Sequence, residues 1–328
     1  RDVLTKASCC AQSGVRTTPQ HAGNATLPMT ETLFTALATW MLALATSPPT
    51  GRRGLALGIL FGLAALCRPS VWAFATLVVL LAVIRRFGTR TDRNWSGHRM
   101  AVTATLVGVA LTVGPWLARN LAVSGTPVLT TTHGGFTLLL GNNPVFYEQV
   151  VRQPLGTTWN DTTSDPGRRP ADWRESLEEQ LPVPPRGVAA ERQRDIEMYR
   201  MAMANIADDP PGFLRACLLR VLRFWTPWPL ESAPGSAWPV ALKWAVAAWY
   251  VATLLAMLRG LWRRPWRRRP QWRAPLLYLL ALSLVHVAFW STMRMRAPVM
   301  PVVFLLACVG LGRQPVEPVP GDDALEAY

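Results

Sequence analysis

GPWLARNLAVSGTPVLTTTHGGFTLLLGNN, residues 114–143, is the stretch on which the reading of this chain turns. Upstream of it lie apolar runs of the length a bilayer crossing needs, roughly 20 residues each. Downstream lies a long segment rich in proline, charge and turn residues. The chain therefore leaves an apolar environment here and enters water. Trp116 has the amphipathic ring that settles at a membrane interface, and Arg119 and Asn120 stand at the boundary. Thr130, Thr131, Thr132, His133, Gly134 and Gly135 follow, and Gly141, Asn142 and Asn143 make a second turn. A plain span exit needs only an aromatic anchor and one charge. So many donors and glycines together suggest a loop that faces a ligand; an ordinary polar exit loop is the simpler alternative.

Half of the 328 residues are hydrophobic, and the mean hydropathy is +0.16. With the apolar runs, this predicts an all-α polytopic membrane protein of about seven transmembrane helices. One extracytoplasmic domain and an interfacial amphipathic helix complete the expected fold. The net charge of +14 would fit nucleic acid if it were spread over a polar surface. It is concentrated instead beside apolar runs, at Arg52 and Arg53, at 85–99 and at 259–273. That is the positive-inside pattern of cytoplasmic loops, and it argues against nucleic acid as a partner. The five cysteines form no framework, and the four histidines are scattered, so neither a metal site nor a cofactor motif is legible.

Taken in order, residues 1–28 are an irregular leader and 29–118 a four-helix transmembrane region. Glu31 stands at the first helix start, where a carboxylate suits the macrodipole, and reads as a cap. Gly54, Gly58 and Gly62 repeat every fourth residue, which lets a neighbouring helix approach closely. Arg68-Pro69 then breaks the apolar run. The flanking spans are short, so Arg68 is expected below the membrane surface, either holding a phosphate or snorkelling from a turn. The fourth span is expected over 100–117.

Residues 119–236 are the extracytoplasmic domain. Asp161 and Asp165 sit in what reads as a solvated turn. A charged helix is expected over 189–207 and another over 212–225. The second would place Leu214, Cys217, Leu218, Val221 and Trp225 on one face and Arg215, Arg220 and Arg223 on the other, as in a helix lying at the interface. Trp225, Trp228 and Trp238 extend an aromatic belt. Residues 237–312 form a three-helix transmembrane region, and 313–328 a cytoplasmic tail.

The positive-inside rule leaves four arginines unexplained: Arg68, Arg119, Arg294 and Arg296, each near the outer end of an apolar run. Guanidinium groups there would fork onto a lipid-linked phosphate. Asn120, His133, Asn142 and Asn143 join them as candidate phosphate or substrate ligands. Arg294 and Arg296 stand two apart before Pro298. In an extended segment they would point the same way and clamp one phosphate; the plainer alternative makes both of them interfacial anchors.

PWLARN followed by GTPVLTTTHGGFTLLLGNNP resembles the span exit of GT-C glycosyltransferases, such as protein O-mannosyltransferases and the aminoarabinose transferase of lipid A. TETLF at the first span, LCRP at 66–69, RFWTPWP at 223–229 and RMRAPVMP at 294–301 resemble further pieces of the same family, in order, across residues 28–312. The resemblance implies sugar transfer from a polyprenyl-phosphate carrier to a lipid, protein or glycan acceptor, commonly with inversion, at the outer face of a bacterial plasma membrane. The implied partners are that donor and membrane lipids. The family places an acidic residue in its first outer loop. The first span here matches a later helix of the family, so that loop is missing and the chain is expected to be N-terminally truncated. No catalytic residue is assigned, and no turnover is expected without that loop. The alternative is a non-catalytic polytopic protein that binds or moves an anionic lipid. A small-solute transporter fits less well, because no internal repeat is legible.

Overall fold

Proline, glycine and short polar turns cut the apolar runs into helices. The computed structural model describes residues 30–88, 95–157, 159, 173–181, 187–229, 240–263 and 270–312, and among them the regular structure is entirely helical. The first four helices are α1 (Thr30–Ala45), α2 (Gly51–Cys67), α3 (Val71–Gly88) and α4 (Trp95–Ser124). Next come α5 (Gly134–Gly141), α6 (Trp173–Gln180), α7 (Val188–Asp208) and α8 (Pro210–Trp225). The chain ends in α9 (Val240–Trp262), α10 (Arg273–Ala288), a 3-10 segment (Met293–Val299) and α11 (Met300–Leu311).

Three segments are long and apolar enough to cross a membrane: Arg99–Ser124, Val240–Trp262 and Met293–Leu311. Thr30–Ala45, Val71–Ile84 and Arg273–Ala288 are apolar but shorter. A 16-residue helix such as α1 rises only ~24 Å, against a hydrocarbon core of ~30 Å. Arg99–Ser124 and Val240–Trp262 bury few of their residues inside the molecule, as lipid-facing helices do, whereas Met293–Leu311 buries nearly half.

The glycine repeat on α2 does what its spacing predicts. A side chain at Gly54 or Gly58 would overlap the backbone oxygen of Ala101 or Thr105 on α4, and one at Gly62 would meet Thr112. Gly108 of α4 returns the contact, its Cβ position 2.5 Å from the Leu55 carbonyl. Gly260 and Gly310 bring α9 and α11 together in the same way, against the carbonyls of Leu306 and Ala256. In lipid, where apolar burial between helices gains little, such close contact carries much of the association. Phe34, Met41, Phe61, Tyr278, Leu282, Val303 and Leu306 centre the largest core, shared by α1, α2, α10 and α11.

Two expectations change. The fourth span was expected to end at 117, yet α4 continues through Arg119 and Asn120 to Ser124, and Gly125 turns the chain with φ +65°. On α8 the buried face is Gly212, Ala216, Arg220 and Phe224, while Leu214, Leu218 and Leu222 are exposed. Arg220 therefore points into the molecule and not toward headgroups. Asp161, Asp165, Trp238 and the arginine-rich residues 264–269 lie outside the described residues.

Candidate functional site

Pro69 fixes the first element of the site. A residue before proline is driven out of the helical region, and Arg68 is extended at φ −146°, ψ 117°, with its N–H on the Ala64 carbonyl 2.8 Å away. So α2 stops at Cys67 and α3 restarts at Val71, leaving Arg68 at the junction. Cys67 Sγ donates to the Thr30 carbonyl at 3.5 Å, tying this junction to the start of α1. There Glu31 opens α1, and the 3-10 segment before α11 packs against the same helix.

These junctions bring three charges together. Arg294 Nη2 donates to Glu31 Oε1 at 3.0 Å, and Arg68 Nη1 lies 3.6 Å from the same oxygen. The Glu31 side chain is 10% exposed, that of Arg68 21% and that of Arg294 64%. Two guanidinium groups thus share one nearly buried carboxylate, and the group carries a net positive charge. Arg294 spends one of its five N–H donors on Glu31, and much of the rest of its guanidinium edge is open. The arrangement suits a singly charged oxyanion.

Glu31 is more than the helix cap it resembled. Its signal in the sequence was isolation: between Asp2 and Asp92 it is the sole carboxylate. Of the four arginines grouped from the sequence, Arg68 and Arg294 meet at Glu31, and Arg119 and Arg296 have other partners. Arg119 is exposed on α4, donates to Asn120 Oδ1 at 3.2 Å and lies 5.8 Å from the Trp116 ring centre. Arg296 is 1% exposed; it donates to the carbonyls of Phe224 at 3.2 Å and Thr226 at 2.6 Å, and sits 4.1 Å over the Tyr250 ring. Residues 293–299 form 3-10 turns, not an extended strand, so positions two apart diverge. The expected Arg294–Arg296 clamp does not form.

The candidate asparagines are spent on the fold. Asn142, fully buried, donates to the carbonyls of Leu138 at 2.7 Å and Ala288 at 3.0 Å. Its Oδ1 accepts from both terminal nitrogens of Arg220 at 3.1 Å and from Tyr147 Oη at 3.2 Å. Asn143 Oδ1 caps the next helical turn through Phe146 N at 2.7 Å. Asn120 Nδ2 holds the Val128 carbonyl at 3.0 Å, and exposed His133 lies against Phe136 with ring centres 4.7 Å apart. Gly134 and Gly135 start α5 tightly under α7: Gly135 N donates to Asp195 Oδ1 at 2.6 Å, and Tyr199 covers Gly134. Burial raises the Tyr199 phenol above its usual value, and nearby Asp195 adds to the rise. The 114–143 stretch is therefore scaffold at Asn120, Gly135, Asn142 and Asn143, while Thr131 and His133 stay exposed.

Arg220 is the residue this reading of the sequence missed. It is 1% exposed and has no carboxylate partner among the described residues. Its Nη1 donates to the carbonyls of Gly141 at 3.1 Å and Ala288 at 2.7 Å, the C-terminal ends of α5 and α10. Those ends carry the negative pole of each helix, which is what holds a buried cation there. Arg296 does the same for the end of α8, and Arg263 for α11 through Val309 O at 2.5 Å. Tyr147, buried beside Arg220, has its phenol pushed up to about 12 by desolvation.

In comparisons with family models, curated proteins and solved structures, nothing matches this chain at a significant level.

Proposed function

We propose that this chain is a membrane glycosyltransferase that takes a sugar from a polyprenyl-phosphate carrier, as the resemblance of its sequence to GT-C enzymes implies. Arg294 and Arg68 would hold the phosphate. One observation carries this: two arginines from separate junctions converge on Glu31, and the exposed one keeps most of its donors open. The ligand implied by that charge is a phosphodiester, which bears a single negative charge. In the reaction, an acceptor hydroxyl forms a bond to the anomeric carbon while the bond from that carbon to the phosphate oxygen breaks. The electron pair leaves with that oxygen, and the hydroxyl proton passes to a base. Glu31 is occupied by both arginines, so the base is not assigned among the described residues.

In this proposal the Glu31 end of the bundle faces outward and the arginine-rich segments near 85–99 and 259–273 face the cytoplasm. Seven apolar helices would then cross or enter the bilayer, the short ones at the thinner margin around Arg68. Single cysteines at Leu155 and Gln271, in a background without native cysteines, test the sidedness with an impermeant thiol reagent. Labelling at 155 and protection at 271 in intact cells are expected. The reverse pattern would overturn the orientation.

A second reading keeps the same site: a polytopic protein that holds an anionic lipid without transferring sugar. It is favoured by the engagement of Glu31 in two ion pairs, which leaves it unavailable as a base. Purified protein in nanodiscs, given a labelled polyprenyl-phosphate hexose and a water or alcohol acceptor, separates the two. Sugar release supports the transferase and puts a catalytic base within this chain; binding without release fits the lipid-holding protein and equally a transferase without the acidic outer loop. Arg294→Ala is expected to weaken binding roughly tenfold in either case, the loss of one charge-assisted bond. Absence of binding by the parent protein would sink both.

A further inference from the structure

The carboxylate of Glu31 is an unexpected component of an anion site. It lies in the same cluster as the guanidinium groups that would attract a phosphate, and it takes up Arg294 and Arg68 through one oxygen. A buried countercharge is not needed merely to keep an arginine folded here. Arg220 and Arg296 are more deeply buried than either, and neither meets a carboxylate among the described residues. Arg294, at 64% exposed, needs a carboxylate least of all. The charged or titratable groups recorded about Glu31 are Arg68, Arg294 and the Cys67 thiol. The carboxylate therefore has a consequence for the ligand: it lowers the charge of the site from two positive to one.

We infer that Glu31 is a charge-setting residue that makes the Arg68–Arg294 site favour a singly charged phosphodiester over a doubly charged phosphomonoester. The identity of the ligand rests on the function proposed above. A lipid-linked sugar is such a diester. Transfer of the sugar breaks the anomeric carbon–oxygen bond and leaves the carrier as a monoester with one more negative charge. Attraction to the site grows in proportion to the ligand's charge. The cost of removing that charge from water grows as its square. With two uncompensated guanidinium groups the doubled attraction of the dianion would offset its hydration. With Glu31 in place the attraction is halved while the hydration cost is not, so the spent carrier leaves and the loaded one stays.

The test uses two probes that share one tail: citronellyl phosphate, a monoester, and its methyl ester, a diester. Their binding to the purified full chain is measured by calorimetry in a nonionic detergent at pH 8. Glu31→Gln keeps the length of the side chain and an acceptor for Arg294 but removes the charge. A carboxylate roughly 6 Å from the phosphate in a partly hydrated site is worth about tenfold. Glu31→Gln is therefore expected to tighten the diester ~10-fold and the monoester by about the square of that, ~100-fold, because the energy scales with charge. Equal factors for the two probes, or weaker binding of either, would overturn the inference. Arg294→Gln tells the two failures apart. If it leaves both affinities unchanged, the phosphate site itself is misplaced and the inference falls with it. If it weakens both while Glu31→Gln fails to separate the probes, the site stands and the charge-setting role does not.

Should Glu31→Gln fail to fold, the parent protein carries the test alone. The monoester loses its second charge below a pH of about 6, whereas the diester keeps one charge throughout and corrects for titration of the protein. Relative to the diester, the monoester is expected to bind more tightly at pH 5 than at pH 8. Tighter relative binding at pH 8 would overturn the inference.

Discussion

Two pairs of arginines in this molecule are held by opposite means. Arg68 and Arg294 meet a carboxylate, and one of them stays largely in solvent. Arg220 and Arg296 meet neutral carbonyls at helix ends, and both are closed off. A cation shared with a carboxylate at an open edge can exchange that partner for another oxyanion. A buried cation that caps helix ends has no comparable exchange: Arg220 links the ends of α5 and α10, and Arg296 takes both of its carbonyls from the end of α8. The first pair is therefore suited to binding, and the second group to joining elements.

The sharpest way to break this distinction is Arg220→Met, which keeps the volume but takes its donor from the Gly141 carbonyl and leaves Asn142 Oδ1 and the Ala288 carbonyl with only Tyr147 Oη and Asn142 Nδ2 as side-chain donors. A buried acceptor left without its donor costs ~1–3 kcal/mol, so a loss of ~2–3 kcal/mol is expected in thermal unfolding of the detergent-solubilised protein. A melting temperature near that of the parent would mean that the network does not join α5, α8 and α10. Arg296→Lys should act in the same sense but less, by ~1–2 kcal/mol, since an ammonium loses the planar stack on Tyr250. Phosphate binding by the folded variant should be unchanged. Weaker binding with no loss of stability would instead return Arg296 to the binding site. Arg294→Lys is expected to do the reverse, weakening a prenyl phosphate about fivefold (~1 kcal/mol) while leaving the melting temperature alone.

The smallest effect concerns Tyr147, beside Arg220. Its phenol is raised to about 12 in the folded state against an ordinary value near 10. The unfolded chain therefore loses this proton first, and the folded state binds more protons between the two values. Its contribution to stability is complete below pH 10 and is lost as pH rises from 10 toward 12. Tyr147→Phe should flatten that part of the stability–pH curve, at the cost of the bond to Asn142 Oδ1. An unchanged slope would mean that another group titrates there.

Local pattern was enough for much of the architecture. The α2 glycines gave the close crossing with α4, because a four-residue repeat lies on one helical face whatever the rest of the chain does. Pro69 gave the break at Arg68 for a reason confined to two residues. The charged helix at 188–208 and the proline start of α8 were equally local. The face of α8 was not. Its apolar stripe and its arginines are legible on a wheel, but which side turns inward depends on what is waiting there. Here the ends of α5 and α10 present carbonyls that only a donor can satisfy.

The sequence by itself determined where most helices begin and end (the exit of α4 excepted), which of them are apolar, and which could approach closely, because these depend on neighbours within one or two turns. Only the tertiary structure decided the partner of each arginine. Glu31 and Arg294 are 263 residues apart, and Arg220 and Asn142 are 78 apart. An arginine looks the same in sequence whether it will meet a carboxylate, a ring or a helix end. The choice is made by desolvation, since each guanidinium carried inward must end on whichever acceptors packing has left unpaired.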